Sequence, residues 1–124
     1  MLRARNQEGW ANLRYLSSIA FTEGFYYDPR IDKQVLRERS KGLVALTACL
    51  AGEVPRLARQ GDMDGARRAV REYKSIFEPG AFFLEVQSNG MKEQVEVNAR
   101  LAELSESEGV PLVATADAHY VRRE

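Results

Sequence analysis

The chain has 124 residues, which corresponds to one domain on the usual prior of roughly 100 to 200 residues per domain. Its 18 basic and 18 acidic side chains cancel, so the whole molecule has no electrostatic attraction to phosphate backbones or anionic lipid. No segment approaches the roughly 20 continuous apolar residues of a membrane-spanning helix, and no secretory signal is evident. We therefore expect a cytoplasmic protein without membrane contact. One cysteine and one histidine exclude an internal disulfide, a four-thiolate zinc site and a multi-histidine site.

The N-terminal part of the chain predicts two helices. Apolar side chains at helical spacing indicate an amphipathic helix over 7–22, with Gly24 as a stop. After an aromatic turn at 25–30, Asp32 is placed to cap a short helix through about Arg39. The apolar face of the first helix consists of Trp10, Leu13, Leu16 and Ala20.

The middle of the chain predicts a buried strand followed by helices. Residues 43–49 form a continuous apolar run, which suits a strand covered on both faces, with a helical segment as the alternative. Pro55 suits the first turn of a short helix. A longer helix ends at Pro79-Gly80, and its apolar stripe consists of Ala66, Ala69, Val70, Tyr73, Ile76 and Phe77.

The remaining elements complete an alternating order. Residues 82–87 predict a second strand, 91–106 a helix with Gly109 as its left-handed stop, and 111–117 a third strand. The order strand, helix, strand, helix, strand favours a parallel α/β layer within one domain.

Chemically useful side chains stand near the predicted strand ends, where parallel α/β architectures gather their functional groups. These are Cys49, Glu85, and Asp117 with His119. If the strand continues, a spacing of two puts Asp117 and His119 on one face, where they can share a divalent metal. The carboxylate can alternatively orient the imidazole as a general base. The simpler alternative is a turn aspartate beside a half-buried histidine.

Simpler interpretations also exist for the other candidates. Cys49 alone suits a small core residue, or a thiolate ligand or nucleophile if a positive neighbour lowers its pKa. Glu85 suits a solvated or ion-paired carboxylate, and Glu53 suits the negative charge preferred at a helix start. A basic group suits a solvated helix face better than phosphate binding; it consists of Arg67, Arg68, Arg71 and Lys74. An aromatic group suits ordinary packing better than base stacking; it consists of Trp10, Tyr15 and 25–27.

Five ordered blocks of the sequence resemble the PHP (polymerase and histidinol phosphatase) domain of bacterial DNA polymerase III alpha subunits. They are 9–13, 23–32, 42–55, 82–87 with Gly90, and 113–120. The resemblance implies a distorted seven-stranded β/α barrel with metal ions at the carboxyl ends of its strands. It implies that Cys49, Asp117 and His119 hold zinc, or manganese or iron, so that hydroxide attacks a phosphodiester. Glu53 and Glu85 are then candidates for carboxylates that surround these ligands.

The same resemblance implies two roles and a set of partners. In some members the site gives 3′-5′ exonuclease proofreading; in others it is a metal-free scaffold for the polymerase core or the proofreading subunit. The implied partners are the rest of the alpha chain, DNA through that chain, and the proofreading subunit.

Two departures from the family pattern shape the expectation. The family's early His-x-His or His-x-Asp ligands have no counterpart here, and three ligands are fewer than zinc or a two-metal site requires. Asn89 and Ala116 stand where many relatives have His and Asn. We therefore expect residues 1–124 to be the central and C-terminal part of a PHP domain, inactive alone.

Overall fold

The computed structural model describes residues 1–116 and Val121. This part of the chain contains a mixed α/β arrangement of four strands and five helices, which confirms the predicted class. The seven-stranded barrel remains a prediction. The elements are β1 (Leu2–Ala4), α1 (Gln7–Thr22), α2 (Lys33–Glu38), β2 (Leu43–Leu46), α3 (Glu53–Arg59), α4 (Met63–Ile76), β3 (Phe82–Gln87), α5 (Lys92–Glu108) and β4 (Leu112–Thr115).

The strands follow the order β1-β2-β3-β4 in one sheet. β1 pairs antiparallel with β2, and β3 pairs parallel with β4. The Ala45 N–H donates to the carbonyl of Ala81, and the Thr47 N–H donates to that of Phe83. Because the partners advance in the same direction, β2 and β3 are also parallel. None of the helices in the described ranges has the length and apolar content needed to cross a membrane.

The chain divides into two compact units, of which the first contains residues 1–45 and 72–82. Helix α1 has the predicted bounds and begins where the Asn6 side chain accepts a hydrogen bond from the Gly9 N–H at 2.8 Å. A Cβ added at Gly9 would collide with the backbone carbonyl of Gly42, so this position requires glycine. Asp32 caps α2 as predicted, accepting from the Val35 N–H at 2.8 Å.

The aromatic group of Trp10, Tyr15 and 25–27 is exposed, whereas the sequence predicts that its side chains pack. Trp10 is 51% exposed, while Leu16 and Ala20 form the buried face of α1. Each of three exposed rings instead has a guanidinium near its face, an arrangement that attracts the cation to the ring quadrupole. The carbon-to-centroid distances are 5.9 Å for Arg14 and Trp10, 4.2 Å for Arg39 and Tyr15, and 5.3 Å for Arg30 and Tyr26. Phe25 and Tyr27 are exposed as well.

The second unit contains residues 46–71 and 83–124. Its helix α5 confirms the predicted apolar face of Val97, Leu101 and Leu104, and it ends at Gly109 in the predicted left-handed conformation, with φ 59°. The basic face of α4 is largely exposed, which confirms the expected solvated face, and two of its arginines also form ion pairs with α5. Arg67 lies 2.7 Å from the Glu103 carboxylate, and Arg71 lies 2.7 Å from that of Glu108. The hydrogen bond and the charge of Glu108 raise the pKa of Arg71.

The strands correct three further expectations. β1 lies in a stretch where no strand is predicted. β2 ends at Leu46 and does not continue to Cys49, because Ala48 adopts φ 64°, which is outside the extended region. β4, expected to be buried, lies at one end of the strand order and leaves Leu112 41% exposed.

Candidate functional site

Polar side chains meet at the carboxyl ends of the parallel strands of the second unit. Thr47 follows β2, Glu85 and Gln87 stand at the end of β3, and Thr115 is the last residue of β4. We call these four residues the strand-end cluster. Because parallel strands present their carboxyl ends at one edge, the same edge leads into the loops that carry ligands in α/β proteins.

Hydrogen bonds join the members of the strand-end cluster around one carboxylate. The Thr115 hydroxyl donates to Oε1 of Glu85 at 2.6 Å, and Nε2 of Gln87 lies 3.4 Å from the same oxygen. The Glu85 N–H donates to the Thr47 hydroxyl at 2.8 Å. Glu85 is only 1% exposed and has no ion pair in the described part of the chain, so its expected solvated or ion-paired state is wrong. A hydroxyl and an amide donate hydrogen bonds to its carboxylate instead.

Two oxygen atoms of the strand-end cluster have no hydrogen-bond partner among the described residues. They are Oε2 of Glu85 and Oε1 of Gln87, and both side chains are buried. An unpartnered buried acceptor costs roughly 1–3 kcal/mol. Both atoms therefore suit a bond from a donor, or a cation, that the described residues do not supply.

Cys49 is exposed, which contradicts its interpretation as a small core residue. Its carbonyl accepts a hydrogen bond from the Gly52 N–H at 2.9 Å, which closes a turn between β2 and α3. The preceding Ala48 is held at positive φ, a conformation that costs L-residues energy and is common near functional sites. The turn therefore presents the only thiol of the chain to solvent just beyond a strand end.

A cavity of about 370 Å³ opens beside the Cys49 thiol. The turn and α3 form one side of it, and the segment from Asn89 into α5 forms the other. Its lining residues are Cys49, Leu50, Ala51, Arg56, Arg59, Asn89, Met91 and Gln94. Glu53 is the first residue of α3, which confirms its predicted place at a helix start, but it does not line this cavity.

The predicted ligands Asp117 and His119 lie outside the described residues. β4 ends at Thr115, two positions before Asp117. Within residues 1–116 and Val121, no three acidic or thiol side chains form a group that could hold a metal ion. The association of Cys49 with Asp117 and His119 therefore remains a prediction.

Sequence reasoning missed several polar residues around this edge: Arg56, Arg59, Gln87, Gln94 and Thr115. One pattern could have indicated part of the strand-end cluster. Glu85 and Gln87 stand two apart on a strand, which places two polar side chains on one face of an otherwise apolar element. Polar side chains on a strand buried on both faces require partners, and this requirement points to neighbouring strand ends.

The chain is similar to proteins of known family. The PHP domain family matches residues 1–89. The chain is 44% identical to DNA polymerase III subunit alpha of Borreliella burgdorferi over 124 residues, which are 100% of this chain and 11% of that protein. The corresponding protein of Thermus aquaticus is 45% identical over 123 residues, 99% of this chain and 10% of the relative. The corresponding protein of Treponema pallidum is 42% identical over 121 residues, which are 98% of this chain and 10% of that protein. The chain thus spans about a tenth of the length of these curated relatives.

Proposed function

The chain belongs to the PHP domain family, and from this premise we propose that it is a metal-dependent phosphoesterase module within a DNA polymerase III alpha chain. In this proposal residues 1–124 are the central and C-terminal part of the domain. PHP domains are generally metal-dependent, and the substrate would be a phosphodiester. The relatives are named as subunits of a DNA polymerase, which favours DNA as the substrate, 3′-5′ exonuclease proofreading as the reaction and the cytoplasm as the location.

The observation that carries the proposal is the exposure of Cys49 just beyond β2, at the edge where β3 and β4 also end. An exposed thiol held in a strained turn is unusual for a residue with only a packing role. In the proposal Cys49, Asp117 and His119 hold the metal. When bound, the metal would polarise the phosphodiester and activate water.

The contribution of the chain itself would be to position these ligands. Thr115 is fixed through its hydroxyl to Glu85, and β4 leads from Thr115 directly to Asp117. Glu85 thus acts as a positioning residue, because its buried carboxylate holds the end of β4 against β3. Its unpartnered Oε2 would accept a hydrogen bond from a water molecule or a ligand side chain at the site.

Removal of the proposed ligands tests the metal site directly. We expect Cys49→Ser, Asp117→Ala and His119→Ala each to lower the amount of zinc or manganese retained after dialysis by at least tenfold, measured by atomic emission. Asp64→Ala is a matched control, because Asp64 is an exposed carboxylate in the first turn of α4. Its metal content should equal that of the unchanged chain.

Unchanged metal content in all three variants would reject the ligand assignment. A chain that binds no metal would support the alternative of a metal-free scaffold for the polymerase core or the proofreading subunit. Hydrolysis of single-stranded DNA, measured in a full-length alpha chain with and without the three substitutions, tests the exonuclease activity. Activity unaffected by all three would exclude this site as its source.

A further inference from the structure

The turn between β3 and α5 contains the only Asn-Gly pair of the sequence, Asn89-Gly90, and both residues are exposed. In such a pair the backbone nitrogen of glycine can attack the side-chain amide of asparagine, because glycine has no Cβ to obstruct the approach. The attack also requires a glycine N–H without a hydrogen bond. It is faster where a donor stabilises the charge that forms on the amide oxygen.

The Gly90 N–H meets the first requirement. Among residues 1–116 and Val121, no acceptor receives a hydrogen bond from it. Gly90 has φ 80°, and a Cβ built on it would meet nothing within 4 Å, so the space beside its backbone is open. The Asp64-Gly65 pair could form the same ring, but the buried Gly65 donates its N–H to Oδ1 of Asp62 at 2.8 Å. Its nitrogen is therefore not available for attack.

The amide of Asn89 meets the second requirement. The Met91 N–H donates to Oδ1 of Asn89 at 3.2 Å, a hydrogen bond that forms an Asx turn and curls the side chain over the Gly90 peptide. An N–H aimed at a carbonyl oxygen stabilises the negative charge that develops there when a nucleophile attacks. Met91 also directly precedes α5, and the positive end of the helix dipole favours the same charge.

The other three asparagines of the sequence do not combine these features, and each is followed by a residue with a Cβ. Asn12 and Asn98 lie inside α1 and α5, where the next backbone N–H belongs to the hydrogen-bond ladder of the helix. Nδ2 of Asn98 also donates to the carbonyl of Gln87 at 2.7 Å. Asn6 caps α1, and its Oδ1 accepts from the Gly9 N–H. Asn89 is thus the reactive asparagine of this chain.

We propose that Asn89 is a site of spontaneous deamidation. The Gly90 nitrogen loses its proton to hydroxide and forms a bond to Cγ of Asn89. The bond from Cγ to Nδ2 then breaks, and Nδ2 takes up a proton and leaves as ammonia. One water molecule opens the resulting five-membered succinimide. Opening at Cγ gives aspartate, and opening at the backbone carbonyl gives isoaspartate. The net exchange is one water for one ammonia, without oxidation or reduction.

Deamidation changes the cavity beside Cys49, because Asn89 and Cys49 both line it. The new carboxylate adds one negative charge there to a chain whose formal net charge is 0. The aspartate product keeps an oxygen for the Met91 N–H, and a hydrogen bond to an ionised acceptor is stronger than one to a neutral amide. The charge of this cavity therefore depends on the age of the molecule.

Timed incubation of the 124-residue chain in neutral buffer with EDTA tests the proposal, and its outcome does not depend on the proposed function. Trypsin releases residues 75–92 as one peptide in which Asn89 is the sole asparagine, so mass spectrometry measures its conversion. We expect Asn89 to convert at least tenfold faster than Asn6, Asn12 and Asn98. The rate should rise with pH, because Gly90 must lose a proton. Enzymatic methylation of isoaspartate should detect none at Asp64.

A pair of variants separates the role of the turn from that of the dipeptide. Met91→Pro removes the donor to Oδ1 of Asn89, and the φ of −78° at this position is one that proline adopts. We expect it to slow deamidation by at least threefold. Met91→Ala is the matched control, because it retains the N–H, and its rate should equal that of the unchanged chain.

Three results would overturn the proposal. The first is conversion of Asn89 no faster than that of the other asparagines, and the second is an equal rate in Met91→Pro and Met91→Ala. The third is a rate in urea more than threefold above that of the folded chain, which would show that the turn protects Asn89. Circular dichroism shows whether Met91→Pro is folded, and the comparison with urea decides the question if it is not.

Discussion

Ala48 is the residue whose conformation most affects the candidate site. It stands between the end of β2 and Cys49 with φ 64°, a left-handed conformation in which an L-residue is strained by roughly 1–2 kcal/mol. This backbone conformation ends the extended strand, and the thiol of Cys49 that follows is exposed. Glycine has no Cβ and would adopt this backbone conformation without strain, so a substitution by glycine measures the strain.

Replacing Ala48 by glycine should therefore raise the free energy of unfolding, by up to about 1 kcal/mol after the greater freedom of the unfolded chain is subtracted. Ala45→Gly is the matched control, because Ala45 is a buried residue inside β2. This change should lower stability by about 1 kcal/mol or more. Urea unfolding followed by circular dichroism measures both. Equal destabilisation by the two substitutions would show that Ala48 carries no strain.

At the scale of elements, β3 and β4 are joined by the partly buried hydrogen bond from Thr115 to Glu85 as well as by the strand ladder. Thr115→Val keeps the shape of the side chain and removes the donor. The buried carboxylate oxygen then loses its shortest bond, so we expect a loss of about 1–3 kcal/mol in unfolding free energy.

Thr22→Val provides the comparison, since the Thr22 hydroxyl is exposed and bonds to the Ser18 carbonyl at 3.1 Å. This substitution should change stability by less than about 0.5 kcal/mol. Chemical denaturation of both variants at neutral pH measures the two changes in unfolding free energy. A Thr115→Val variant as stable as the unchanged chain would show that Glu85 does not depend on this donor.

The helices could be predicted from sequence because their information is local. Caps such as Asp32, the left-handed Gly109 and an apolar face repeated every three or four residues all lie within one element. β1 could not be predicted, because three residues have no periodicity and their pairing with β2 is a long-range contact. The exposure of Trp10 was missed for a related reason. Helical spacing identifies a face but cannot show where that face ends.

The candidate site was only partly predictable for the same physical reason. Residue type and strand-end position singled out Cys49 and Glu85. The partners of Glu85, however, come from two other strand ends, and those of the cavity from α3 and α5. No local pattern connects Arg56 with Gln94. Such neighbours become visible only when the elements are assembled.

At the scale of the whole molecule, β4 lies at one end of the strand order of the described residues, and its residue Leu112 is 41% exposed. An edge strand with exposed apolar side chains can pair with another copy of the chain. We expect the isolated chain to self-associate, with an average mass that rises with concentration in sedimentation velocity. Leu112→Lys should reduce this association.

Val95→Lys controls for a general effect of added charge, because Val95 is an exposed apolar residue of α5 and does not belong to the edge strand β4. It should leave association nearly unchanged. A chain that stays monomeric at all concentrations and melts sharply and reversibly would contradict the prediction.

The two compact units are interleaved along the polypeptide, since residues 46–71 of the second unit interrupt the first. During translation, the ribosome must therefore release the chain as far as residue 82 before the first unit has all of its parts. By then residues 46–71 of the second unit have already emerged, but that unit still lacks most of β3 and all of α5. Both units therefore depend on residues that emerge after α4, and a premature stop directly after α4 would leave neither unit complete.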